Sequence, residues 1–155
     1  MTLESLERFD RQKTKQHFDR DGYVVLRGFG AGDELAVLQE NVALFIRDVV
    51  PGMPPEHVFY EHKGDQTTLK QMQQMGDHDP FFSDLFTIGK FPDLVELLLE
   101  GPATPKNLQY FNKPAGVGQP TPPHQDGYYF MLEPCEAATM WLALDESDEE
   151  NGLVR

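Results

Sequence analysis

The hydrophobic period changes once along this chain, near Gly101, and that change restricts the fold more than any other feature. Upstream, Leu35, Leu38, Val42, Phe45, Ile46 and Val49 step by three and four, which lays one apolar stripe along a helix that Asp33 can cap. Thr14 to Arg20 reads as another helix, with Gly22 as its left-handed stop. Thr67 to Met75 reads as a short helix, Asp79-Pro80 as a cap followed by a first turn, and Phe91-Pro92 as the opening of a helix that runs through Leu99 and closes at Gly101. Only Tyr23 to Leu26 and His57 to His62 look extended in this half. Downstream, Lys106 to Asn112, Gly127 to Met131 and Ala137 to Leu144 favour strands, separated by clusters of Pro and Gly. In the last of these Ala138, Met140, Leu142 and Leu144 share one face, with Thr139, Trp141 and Ala143 on the other. Helices first and strands later imply an α+β fold, and 155 residues make one domain, mostly helical over 1–100 and strand-rich over 101–155. Strands begun so late leave an open sheet edge, a surface through which the chain is expected to self-associate.

Charge excludes several classes of partner. Thirteen basic against 26 acidic residues give a formal charge of −13, which repels nucleic acid and anionic membrane surfaces. The imbalance lies beyond residue 27, because 1–27 hold six basic and five acidic side chains. The acidic run Asp145 to Glu150 reads as an exposed turn, not a cation site. No apolar run reaches the roughly 18 residues of a membrane helix, and Met1 to Asp10 lacks the charge-then-apolar order of a leader, so a cytoplasmic protein is expected. Cys135 is alone, which excludes an internal disulfide and a cysteine-based zinc site.

The chemistry concentrates in Pro122-Pro123-His124-Gln125-Asp126-Gly127. On extended backbone residues i and i+2 project to the same side about 6.6 Å apart, so an imidazole and a carboxylate at that spacing can converge on one cation. His-x-Asp alone is a weak signal, since composition predicts about 0.4 occurrences by chance. His17-Phe18-Asp19 is the internal control: it has the same spacing but falls in a helix, where i and i+2 diverge. His124 follows two prolines that favour extended backbone. A histidine and a carboxylate are two-thirds of the facial triad that holds ferrous iron for oxygen activation. The residues alone leave a second possibility, a turn in which Asp126 caps backbone amides and His124 is an ordinary surface residue.

The stretch LQYFNKPAGVGQPTPPHQDGYYFMLEPCEAATMWLALDESDEENGLVR resembles the phytanoyl-CoA dioxygenase family of iron(II)- and 2-oxoglutarate-dependent oxygenases, and the likeness extends upstream through DGYVVLRGF and LKQMQQMGDHDPFF. The resemblance implies that the N-terminal helices pack on an incomplete double-stranded β-helix, the jelly roll. It implies Fe(2+) on His124 and Asp126. It further implies that Lys70 pairs with a 2-oxoglutarate carboxylate, that Trp141 lines the co-substrate pocket and that Gln109 contacts the co-substrate, at a position where relatives often carry another residue. A small-molecule or lipid-like substrate would be hydroxylated, and Tyr110, Tyr128 and Tyr129 flank the metal segment as candidates to shape its pocket.

Members of that family carry a second iron-binding histidine, then an arginine, downstream of the His-x-Asp pair. The sequence reaches Arg155 without either, and His17, His57, His62 and His78 all lie upstream at positions that do not match the absent ligand. ENGLVR reads as a turn into a further strand, so the expectation is the N-terminal portion of an oxygenase, with little or no turnover by itself. A non-catalytic jelly-roll module that assembles through its open edge is the alternative. A zinc-binding cupin-like protein ranks below both, because two ligands leave a tetrahedral zinc half-coordinated.

Overall fold

A computed structural model describes residues 8–30 and 32–153. Among these the fold is α+β, with helices surrounding a small antiparallel sheet. Helix α1 (Arg11–Asp21) begins where the Asp10 carboxylate accepts the Lys13 amide and ends at Gly22, whose φ of 78° is the left-handed stop that glycine adopts without a Cβ penalty. His17 and Asp19 sit inside this helix, and Asp19 pairs with Lys15 one turn back instead of with His17.

Helix α2 (Asp33–Asp48) carries the apolar stripe and buries Leu38, Val42 and Phe45. Gly32 takes the capping position, so Asp33 is the first helical residue and its charge faces the positive end of the helix dipole. Strands β1 (Val58–Tyr60) and β2 (Leu69–Met72) follow, then the short helix α3 (Met75–His78), α4 (Pro80–Thr87), α5 (Lys90–Leu99), strand β3 (Tyr110–Phe111) and the five-residue helix α6 (Asp126–Phe130). Asp79 caps α4 by accepting the Phe81 and Phe82 amides, and Pro80 occupies its first turn. At the end of α5 it is Glu100, not Gly101, that adopts the left-handed cap, with φ of 55°.

The sheet has the order β1-β2-β3. The segment expected as a helix from Thr67 to Met75 is instead one 3-10 turn, Gln66–Thr68, running into β2. Phe59 faces Gln71 and Tyr60 faces Leu69, which leaves Lys70 as the extra residue of a bulge. The bulge explains the misreading. One added residue lets Leu69 and Met72, three apart, both be buried, and a spacing of three imitates a helical face.

Two cores result. The larger joins the stripe of α2 to Met72, Met75 and Phe82, with Phe45 and Phe82 meeting edge to face at 5.2 Å. The smaller gathers Phe29, Leu94 and Leu98. Beside it the Lys90 ammonium, 5% exposed, donates to the Phe29 carbonyl and to Glu34 and lies over the Phe29 ring. Tyr23 to Leu26 packs Val24 and Leu26 on this core and exposes Tyr23 and Val25, the alternation of a strand, but has no ladder partner among the described residues. The same holds for Ala137 to Leu144: Met140 reaches the smaller core and Leu142 and Leu144 the larger, while Thr139, Trp141 and Ala143 face outward. The Leu144 carbonyl accepts the Gln39 amide, which ties this segment to α2.

Two further expectations change. Gly127 to Met131, expected as a strand, lies in α6 and its terminal residue, since among the described residues no neighbouring strand offers a ladder to its β-favouring aromatics. Of Lys106 to Asn112, Tyr110 and Phe111 form the strand, and the Asn112 amide adds a bond to the Lys70 carbonyl at 2.7 Å. The acidic run is the exposed turn expected, organised by the Asp148 carboxylate, which accepts the Glu150 and Asn151 amides. The strand expected after it runs into Val154 and Arg155, outside the described residues.

Candidate metal-binding face

His124 and Asp126 converge. Gln125 between them is extended, with φ −119° and ψ 121°, so its neighbours project to one side. Nε2 of His124 lies 3.3 Å from Oδ1 of Asp126. Asp126 is the first residue of α6, but its partner lies before the helix, and the divergence seen in α1 does not arise.

Each side chain is held from behind. Nδ1 of His124 lies 2.9 Å from the Pro122 carbonyl. A carbonyl only accepts, so Nδ1 is the donor in that contact, which leaves Nε2 as the nitrogen that faces Asp126 and the shared space. The other oxygen of Asp126 accepts the Thr139 hydroxyl at 2.6 Å, which couples the pair to the extended segment 137–144. Gly127 allows a further contact: a Cβ there would run into the Cys135 sulfur, so a larger residue at 127 would make that side chain turn away from the first turn of α6.

The other candidate residues connect to this pair in two ways. Trp141 is two residues from Thr139 on the same outward face and meets Phe111 edge to face at 6.1 Å. Phe111 pairs with Gln71, whose side-chain amide donates to Gln109 at 2.8 Å. Gln109, Trp141, Asp126 and His124 thus belong to one chain of contacts, with Tyr129 closing it at 6.0 Å from the imidazole. Lys70 approaches from elsewhere. Its ammonium lies 3.3 Å from Glu61, whose same oxygen accepts the Gln119 amide at 3.1 Å. Gln119 immediately precedes the Pro-rich run that delivers His124. The Glu61 carboxyl is held below its ordinary value, chiefly by the Gln119 amide and then by Lys70.

Glu61 and Thr139 were missed in the sequence. Glu61 has no motif and gains its place from the turn that pairs it across to Thr68; Thr139 is legible only as a polar residue on the outward face of an apolar strand.

The face can chelate. An octahedral cation with oxygen or nitrogen ligands at about 2.1 Å sets neighbouring donors about 3.0 Å apart, and the observed 3.3 Å needs an adjustment of only a few tenths of an ångström. Among the described residues no third His, Cys, Asp or Glu joins the two. His124 and Asp126 are close to half exposed, at 44% and 42% of their side-chain surface, so further ligands can reach them.

The family described as Phytanoyl-CoA dioxygenase (PhyH) matches residues 18–155. The chain belongs to that family. Phytanoyl-CoA dioxygenase 1 of Oryza sativa subsp. japonica is 25% identical over 169 aligned positions, covering 88% of this chain and 60% of the relative. Phytanoyl-CoA dioxygenase of Arabidopsis thaliana is 24% identical over 170 positions, with the same coverage of 88% and 60%. The chain therefore spans about 60% of the length of the curated relatives it matches. No solved structure matches it. No helix among the described residues is long and apolar enough to cross a membrane.

Proposed function

We propose that this chain forms the co-substrate-binding portion of an iron(II)- and 2-oxoglutarate-dependent dioxygenase that hydroxylates a small or lipid-like molecule. The observation that carries the reading is the convergence of His124 and Asp126 at 3.3 Å, with the orientation of each held by a backbone or hydroxyl partner. Family membership supplies the iron and the co-substrate as chemistry.

In this reading His124 Nε2 and Asp126 Oδ1 hold the metal, and Thr139 keeps the second carboxylate oxygen turned away from it. Ferrous iron, when bound, supplies oxygen activation coupled to decarboxylation of 2-oxoglutarate. Trp141 and Phe111, packed edge to face, offer an apolar surface suited to exclude water from one side of a bound co-substrate. Lys70 is the cation for a co-substrate carboxylate, and to serve it must leave or share Glu61. Gln109, held by Gln71, offers an amide to the same ligand. The whole chain is taken as part of one domain whose sheet continues the jelly-roll plan, with the unpaired extended segments 23–26 and 137–144 as strands awaiting neighbours. Two protein donors give weak chelation, so metal affinity and turnover by the chain alone are expected to be low.

The test is anaerobic titration of Fe(2+) with and without 2-oxoglutarate, read by fluorescence of Trp141, the chain's one tryptophan. Saturable quenching that strengthens with 2-oxoglutarate and disappears in His124→Ala and in Asp126→Ala is the expected result. Quenching indifferent to both substitutions removes the iron assignment. Robust succinate release by this chain, abolished by Asp126→Ala, would instead show that two described donors suffice.

A second reading, a non-catalytic assembly module, is favoured by the exposed aromatics. Tyr128, Met131 and Trp141 are 80%, 88% and 64% exposed, and exposed large apolar side chains are what an association surface presents.

A further inference from the structure

A second pair of metal-ligating side chains lies outside this face. His57 ends the 3-10 turn Pro55–His57 and His78 ends α3. Nδ1 of His57 stands 3.3 Å from Nε2 of His78, with the rings inclined at 66° and their centroids 5.6 Å apart. We propose that these two imidazoles form an independent binding site for a borderline divalent cation of the zinc, nickel or copper(II) type.

The bite fits such an ion. Zinc–nitrogen bonds of about 2.05 Å at the tetrahedral angle place two ring nitrogens about 3.3 Å apart, so both ligands are already at the separation they would have on the metal. Backbone bonds fix the approach: His57 donates its amide to Pro54 at 2.9 Å and its carbonyl accepts Gln73 at 2.8 Å, while α3 is packed against α4. The pair is half-buried, so it is reachable yet shielded from bulk water on one side.

Proton balance is simple. In the metal-free pair one facing nitrogen carries the hydrogen and the other accepts it. Loading requires only that the donor ring move its proton to its outer nitrogen, and those outer nitrogens have no hydrogen bond among the described residues. Two neutral imidazoles then face the cation. Imidazole selects borderline ions and gives magnesium or calcium little. No third His, Cys, Asp or Glu among the described residues completes the shell, so water fills it and the ion exchanges. With two protein ligands this is an exchanging site, weaker than a structural zinc.

The experiment is calorimetric titration of Zn(2+), with Mg(2+) as control, into the full chain bearing Asp126→Ala, so that the other face does not contribute. One binding event is expected to remain, weakened at least tenfold by His57→Gln and by His78→Gln. Zinc affinity unchanged by both substitutions, or no event at all in the Asp126→Ala chain, overturns the site. Nuclear magnetic resonance on the unsubstituted chain guards against loss of folding in a variant. Substoichiometric Co(2+) should broaden the amides of Val58, Gln73 and Asp79, and broadening confined to 125–127 would also overturn it.

Discussion

At the scale of single residues, the candidate metal pair depends on neighbours that do not themselves ligate. Thr139 holds one oxygen of Asp126 through a short hydroxyl bond, and removing such a support usually weakens a metal site tenfold to a hundredfold. Thr139→Val keeps the shape of the extended segment and deletes the donor. It should weaken Fe(2+) binding at least tenfold with unchanged thermal stability, measured by titration beside a melting curve. Lys90 is the opposite kind of residue, structural and remote from the chemistry. Its buried ammonium binds the Phe29 carbonyl and Glu34 between the rings of Phe29 and Phe91. Lys90→Ala leaves the Glu34 carboxylate partly buried without its cation and should cost roughly 3 kcal/mol. Lys90→Met, which keeps the stem packed, should cost less than Lys90→Ala, and urea unfolding of the two variants checks the order.

Elements position the site through irregularities. The bulge at Lys70 re-aims that residue to Glu61, and Glu61 grips the start of the Pro-rich run. That grip is pH-dependent, and its sign follows from the lowered carboxyl. A group whose folded value lies below its ordinary 4.5 contributes fully above that value and loses its contribution as pH falls through the lower folded one. Acidification below about 4.5 should therefore release Gln119 before the helices melt, seen as faster amide exchange at Gln119 while circular dichroism holds. Glu61→Gln should abolish the transition, because an amide no longer titrates. Helix α6 shows how little of a short element is intrinsic: its Tyr128-Tyr129-Phe130 run favours a strand, and it is helical where no strand among the described residues stands beside it.

For the whole molecule, two cores share one outer segment. Ala137 to Leu144 sends Met140 into one core and Leu142 and Leu144 into the other while turning Thr139 and Trp141 outward, Thr139 onto Asp126 of the candidate pair. Stability and site are thereby coupled. Phe45→Ala, at 1% exposure in the larger core, should cost about 3–5 kcal/mol and loosen Fe(2+) binding as well. Denaturant unfolding and Trp141 fluorescence should report both losses in one variant. The exposed aromatics around α6 predict association that grows with concentration, checked by sedimentation velocity, and Trp141 fluorescence should shift to the blue as it does.

The stripe of α2, the cap and proline of α4, the glycine stop of α1 and the two faces of 137–144 were legible because each rests on contacts within a few residues or on a strict period. So was the convergence of His124 and Asp126, since a proline-stiffened extended segment fixes the direction of i and i+2 by itself. Only the tertiary structure could assign β2, where a bulge disguises strand spacing as helical. It alone showed that Lys70 meets Glu61, that Thr139 supports Asp126 and that His57 meets His78. Those contacts join residues 9 to 21 positions apart, and no local propensity encodes a meeting that packing of the intervening chain must bring about.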